Sequence, residues 1–137
     1  MNPVEPLPQD WCGSVIRILR KGDPAHIRWT LRAQMDWSPF GLPYQACDFL
    51  VHALSQPGLW GERITGMNPL PGAPKGLKPP RVFAFLCPHP LGVSTPLYAK
   101  IGLHDGHLSI DLFSLHIDLT GDLAKRIALA QLSLIHI

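Results

Sequence analysis

LYAKIGLHDGHLSIDLFSLHI, residues 97–117, is the stretch that decides how this chain folds. Leu97, Ala99, Ile101 and Leu103 alternate with Tyr98 and Lys100, the period of a strand with one buried face. Asp105-Gly106 is a strong two-residue hairpin signal, so the strand 97–103 returns along 108–119. With that turn His104 faces His107, Leu103 meets Leu108, Ile101 meets Ile110 and Ala99 meets Leu112, a continuous apolar face. On the other face Lys100 meets Asp111 and Tyr98 meets Phe113. Opposite charges and paired aromatics each contribute about 0.2–1 kcal/mol as cross-strand partners. The parity then changes: Leu108, Ile110 and Leu112 are even, whereas Leu115, Ile117 and Leu119 are odd. A bulge near Phe113-Ser114 absorbs that slip.

Working outward, Val82 to Cys87 is rich in Val and Phe and reads as a third strand. Residues 57–80 are dense in proline and glycine and read as a long irregular loop, basic in character. Three helices are expected before it. Ser14 caps Val15 to Lys21, which Gly22 ends. Asp23-Pro24 opens a second helix from Pro24 to Trp37, with Ile27, Leu31 and Met35 as its stripe and Arg28 and Arg32 as an i,i+4 pair beside it. In Pro43 to Ser55, Ala46, Phe49, Leu50, Ala53 and Leu54 fit an amphipathic helix. Residues 1–9 hold three prolines and are expected as a flexible arm. Gly121-Asp122 starts a last helical stretch through Ala130. The expectation is one α+β domain over residues 1–131. N-terminal helices pack on a small antiparallel sheet of at least three strands, with a partial C-terminal helix.

Composition bounds the function. The chain has 137 residues, 16% of them charged, and a net charge of +2. The low charge and 46% hydrophobic content exclude an acidic tail protein and intrinsic disorder. No apolar run reaches the roughly 20 residues of a membrane helix, and residues 1–20 lack the layout of a signal peptide. The charge is uneven. Arg63, Lys75, Lys78, Arg81 and Lys100 stand against Glu62 alone between residues 57 and 100. Asp105, Asp111, Asp118 and Asp122 outnumber Lys125 and Arg126 after that. A basic middle segment can attract a polyanion or be a solvated loop. Cys12, Cys47 and Cys87 are widely spaced without a paired motif, so reduced thiols in a cytoplasmic protein are expected rather than zinc ligands or disulfides. No glycine-rich phosphate loop, HExxH, GxSxG or clustered carboxylate pair is present, which leaves hydride transfer, nucleotide hydrolysis and serine-hydrolase chemistry without support. Leu132 to Ile137 reads like the translation of a transposon end used in DNA library preparation, so residues 132–137 are expected to be a non-native tail.

The segment Leu97-Tyr98-Ala99-Lys100-Ile101, followed by Ser114-Leu115-His116, resembles the motility quorum-sensing regulator (MqsR-type) toxins. These are metal-independent mRNA interferases of the broader RelE-like fold. A Tyr-x-Lys-Ile strand precedes their last strand, which has the form Ser-Phe-Lys or Ser-Phe-His. The short helix ending at Gly22, the Gly41-Leu42 restart and the third amphipathic helix are similar in order. The chain departs from the family after its third helix, where Leu59-Trp60-Gly61-Glu62-Arg63-Ile64 stands in place of Phe-Tyr-Lys-Ser-Met. The family's Trp-Gln-Asp is also missing. The resemblance implies a cytoplasmic endoribonuclease of a toxin–antitoxin system, with RNA and a cognate antitoxin as partners and no metal or cofactor. It carries a catalytic role to Tyr98. His116 falls where the family has a basic residue, and Lys100 is the motif lysine.

Metal-free RNA cleavage must deprotonate the 2′-OH, stabilise the phosphorane and protonate the leaving 5′-oxygen. A histidine suits the proton transfers and a cation the charge. Tyr98, Lys100 and His116 are therefore the candidate catalytic residues, with Arg63, Arg81, Lys75 and Lys78 as candidate RNA contacts. Each also has a structural reading. Lys100 is an ion pair for Asp111, Tyr98 a packing partner for Phe113, and His116 an ordinary exposed strand residue. His104 and His107 lack a third ligand nearby, so no metal site is expected. The alternative to an enzyme is a non-catalytic protein- or RNA-binding module from a mobile element or phage.

Overall fold

A computed structural model describes residues 2–135. Strand β1 (Val4–Pro6) leads into helix α1 (Gln9–Lys21), a 3-10 turn at Pro24–His26, strand β2 (Ile27–Trp29) and helix α2 (Leu31–Trp37). Helix α3 (Pro43–Leu54) follows. Then come strands β3 (Trp60–Ile64), β4 (Arg81–Cys87), β5 (Leu97–His104) and β6 (Ser109–Ile117), and helix α4 (Asp122–Ile135). This is the α+β plan expected, on a larger sheet. Six strands run in the order β1-β3-β4-β5-β6-β2, all neighbours antiparallel except β2 beside β6, which is parallel.

One face of the sheet carries the main core. Phe83, Phe85, Leu97, Ala99, Ile101, Leu103, Ile110, Leu112 and Leu115 are buried there against α1 and α3. Helix α1 presents Trp11, Val15, Ile18 and Leu19, one stripe at helical spacing. Trp11 is wholly buried, edge-on to the Phe83 and Phe85 rings at 5.1 and 6.2 Å between centroids. Its indole N–H donates to the Arg81 carbonyl at 3.0 Å, so the large ring is buried without an orphaned donor. The helix starts at Gln9, ahead of the expected Ser14, because the apolar stripe begins at Trp11. It ends at Gly22, whose φ of 65° lets its N–H close onto the Ile18 carbonyl.

Four further expectations are corrected. The second helix does not run from Pro24 to Trp37. Ile27-Arg28-Trp29 has strand-favouring residues and joins the sheet beside β6, and Thr30 then caps α2 by accepting from the Ala33 N–H. Arg28 therefore points to Asp111 rather than along a helix beside Arg32, and Leu31 and Met35 of the expected stripe are exposed. Residues 4–6 of the expected arm are an edge strand on β3, and β3 itself lies inside the stretch expected as loop. Finally, helix α4 runs past Ala130, where the last helical stretch was expected to stop, to Ile135; whether residues 132–137 are native is untouched by this, and residues 136–137 lie outside the described residues.

The β5–β6 hairpin is offset from the expected register by two residues. Asp105–His107 forms a 3-10 turn, and Leu108 completes it in the left-handed region at φ 48°. Leu103 thus meets Ile110, Ile101 meets Leu112, and His104 meets Ser109. A shift by two keeps every residue on its face, so the apolar pattern alone could not detect it. The bulge falls where the parity change put it. Leu112 pairs with Ile101 and Ser114 with Lys100, and Phe113 is the extra residue between them.

Candidate functional site

The face opposite the main core carries the polar residues. In register across it lie Glu62, Ala84, Lys100 and Ser114 in one row and Leu86, Tyr98 and His116 in the next. Tyr98 therefore meets His116 and not Phe113, and Lys100 meets Ser114 and not Asp111. The Tyr98 and His116 rings stack at 5.2 Å between centroids with 20° between planes. Both side chains, and that of Lys100, are half-buried. His116 Nδ1 lies 3.0 Å from the carbonyl of Ile117. A carbonyl only accepts, so Nδ1 carries the proton in this contact, and whenever the ring is neutral Nε2 is the lone-pair acceptor.

Helix α4 crosses this face at the β1, β3 and β4 side. Arg126 donates from Nη2 to Glu62 Oε2 at 2.7 Å and from Nε to Asp122 Oδ2 at 2.9 Å. Arg126 Nη1 and Asp118 Oδ2 are buried without a hydrogen-bond partner among the described residues. These charges act on Tyr98. Burial, and then the Glu62 carboxylate, push the phenol above its usual range; Arg126 opposes the rise and Asp118 adds to it. The phenol is thus held as a donor at neutral pH.

The other predicted contacts lie apart from this face. Arg63 is in register with Phe83 on the core side, its guanidinium 5.6 Å from that ring's centroid and 2.9 Å from Glu5. Arg81 pairs with Asp105 through Nε and Nη2 at 2.8 and 2.9 Å and with Asp10 at 2.9 Å. Together Arg63 and Arg81 border a cavity of about 310 Å³ with Ile64 and Phe83. Lys75 and Lys78 are exposed on the proline-rich segment. So Tyr98, His116 and Lys100 come together, while the four predicted RNA contacts do not join them.

Sequence reasoning missed two features. Arg126, Glu62 and Asp118 around Tyr98 had only the Asp122–Arg126 helical spacing as a signal. The second feature is a buried network at the other end of the same face. Asp111, with no exposed surface, accepts from Arg28 Nε at 2.7 Å and from the Leu70 N–H at 3.0 Å, and lies 2.8 Å from His104 Nε2. Arg28 Nη2 also donates to Ser109 Oγ at 2.9 Å. The expected two-residue turn placed His104 opposite His107 and hid this network.

Cys12, Cys47 and Cys87 are free thiols. Burial pushes Cys87 up to about 12 and Cys12 up to about 11, the latter with help from Asp10, so neither is a thiolate at neutral pH. Among the described residues no group of three or more His, Cys, Asp or Glu side chains is placed to hold a metal, and no helix is long and apolar enough to cross a membrane. The chain matches no protein-family model, no curated protein and no solved structure.

Proposed function

We propose that the chain is a metal-independent endoribonuclease of the toxin type, acting at Tyr98, His116 and Lys100. The observation that carries the reading is the stacked Tyr98–His116 pair, with its tautomer set by the Ile117 carbonyl. In this reaction His116 Nε2 takes the proton of an RNA 2′-OH as its oxygen bonds to the adjacent phosphorus. The bond from phosphorus to the 5′-oxygen breaks, and Tyr98 gives that oxygen its phenolic proton. The products are a 2′,3′-cyclic phosphate and a 5′-hydroxyl. Lys100, on the same face, offsets the charge that builds on the phosphorane. The raised phenol suits this role, because the leaving alkoxide is far more basic and draws the proton only as it forms. A cytoplasmic setting and a cognate antitoxin belong to the same reading.

Purified protein is expected to cleave single-stranded RNA in the presence of EDTA and leave cyclic phosphate ends. Tyr98→Phe combined with His116→Ala is expected to lower the rate at least about 100-fold, the low end of acid–base contributions. Cleavage unchanged in that double variant removes the site, and no cleavage by the wild-type chain removes the activity. A second reading, a non-catalytic RNA-binding module, is favoured by the half-buried aromatic stack as a platform for a base. It gives salt-dependent RNA retention without product.

A further inference from the structure

The sheet ends at β2, with no strand beyond it among the described residues. The ladder fixes where its backbone groups point. Trp29 is in parallel register with Leu112, and the Thr30 N–H donates to the Leu112 carbonyl. Backbone groups alternate along a strand, so Arg28 also turns its N–H and carbonyl to β6, and Ile27 and Trp29 turn theirs to the outer edge. The Pro24 carbonyl takes the Ile27 N–H. The Ile27 carbonyl and both groups of Trp29 therefore form the edge. Charged side chains often guard an edge, but that of Arg28 is drawn to Asp111 on the polar face. Ile27 and Trp29 face the core side and border a cavity of about 420 Å³ with Pro24, Pro43, Tyr44 and Cys47. Exposed apolar residues stand around it: Tyr44 itself, Leu42 before Pro43, and Leu31, which follows Thr30 at the head of α2. The free charge on the bordering elements is mainly positive. Arg17, Arg20 and Lys21, in the last two turns of α1, are exposed and make no ion pair among the described residues. Asp23 accepts from the Ala25 N–H and Asp36 holds Arg32, which leaves Asp48 of α3.

The geometry points to β2 as a docking edge for an extended acidic segment of another protein, added to the sheet as a seventh strand. Run antiparallel to β2, the segment exchanges two hydrogen bonds with Trp29 and donates a third to the Ile27 carbonyl. Opposed residues of an antiparallel pair share a face, so the side chains opposite Trp29 and Ile27 lie on the core side, beside the cavity, and apolar ones fit there. The segment then leaves past Pro24 toward Lys21, where acidic side chains meet the free bases. A second copy of this chain is the poorer occupant, because it brings the same excess of bases to the edge. A nucleic acid has no backbone amides to complete the ladder. The docking is independent of the reaction at Tyr98 and His116.

The test follows backbone amides of the full chain by NMR during titration with the synthetic peptide acetyl-Thr-Val-Thr-Val-Asp-Glu-amide. The Trp29 amide is expected to shift saturably and its hydrogen exchange to slow. N-methylation of the first valine, the residue that pairs with Trp29, removes a ladder donor from the peptide and leaves the protein untouched, and binding is expected to be lost. Arg20→Glu with Lys21→Glu changes two exposed side chains and is expected to weaken binding about tenfold. A Trp29 amide that does not respond overturns the docking edge, as does equal binding of the N-methylated peptide. Equal binding of a peptide ending in Lys-Lys overturns the acidic partner. A chain that sediments as a dimer with Trp29 already protected gives the edge to a second copy, and an equal Trp29 response to oligouridylate gives it to RNA; either result overturns the proposal. The same titration on the Tyr98→Phe, His116→Ala protein is expected to be unaltered, so loss of RNA cleavage and loss of docking are read separately.

Discussion

Removing the Asp111 carboxylate is expected to be among the most damaging single changes in the chain. Asp111→Ala leaves Arg28, whose side chain is 13% exposed, without its counter-ion, and strips a partner from the Leu70 N–H and from His104. Breaking a buried ion pair from one side costs about 3–5 kcal/mol, because the remaining charge stays buried and unpaired. Against a typical total of about 5–15 kcal/mol for a domain, that is a large fraction. Urea denaturation followed by tryptophan fluorescence measures it, as a drop in midpoint at constant slope. Arg32→Ala is the contrast. Arg32 is exposed and pairs with Asp36 at 3.3 Å one helical turn away, so its loss is expected to cost no more than about 0.5 kcal/mol. Replacing the pair together, Arg28→Met with Asp111→Leu, is expected to recover part of the loss, since the unpaired charge is gone while the Leu70 N–H and His104 stay without their partner. A cost below about 1 kcal/mol for Asp111→Ala, or a double variant as unstable as the single one, refutes the reasoning.

Two further outcomes follow from packing and charge. Gly102→Ala is expected to destabilise by about 1–3 kcal/mol, because the added carbon would lie 2.9 Å from both the Phe113 ring and Pro80 Cβ; an unchanged thermal midpoint would show that the covering segment yields freely. Tyr98, raised above its usual 10.0 by burial and by the Glu62 and Asp118 carboxylates, is expected to ionise later in the folded chain than in the unfolded one. Its contribution to stability is therefore full below pH 10 and is lost as pH climbs through the folded value. The phenolate absorbance difference between wild type and Tyr98→Phe measures the midpoint, and a value at or below 10 contradicts the assigned environment.

Where the sequence was legible, a local pattern had one physical solution. Alternation along Leu97 to Leu103, the Val82 to Cys87 run and the helical spacing in Pro43 to Ser55 each matched an element. Where it misled, a distant partner decided. Ile27-Arg28-Trp29 has a spacing compatible with a helix, but Asp111 lies 83 residues away and draws Arg28 into the sheet. Val4–Pro6 has too few anchors to predict an element, yet it completes an edge on β3, a strand the glycine content had hidden. The turn was misread because Asp-Gly satisfies a two-residue hairpin locally. The chain instead accepts a left-handed Leu108 to bring Asp111 beside Gly102 and within reach of Arg28, Leu70 and His104.

The bulge links that register to the proposed chemistry. Continued without Phe113 as an extra residue, the pairing at the turn would carry Leu115 opposite Tyr98 and put a core leucine on the polar face. The sequence avoids this by changing parity between Leu112 and Leu115, so that both stay buried on the core side. The same one-residue slip carries His116 to the row of Tyr98 and Ser114 to the row of Lys100. Burial of Leu112 and Leu115, a demand of the core alone, thus fixes the phenol, the imidazole and the ammonium on one face. Ring stacking and the Ile117 carbonyl then set the imidazole's orientation and proton. The Tyr98–His116 pair is held by two paired strands of the sheet rather than by a loop, as a site that must keep two proton-transfer groups in fixed relation requires.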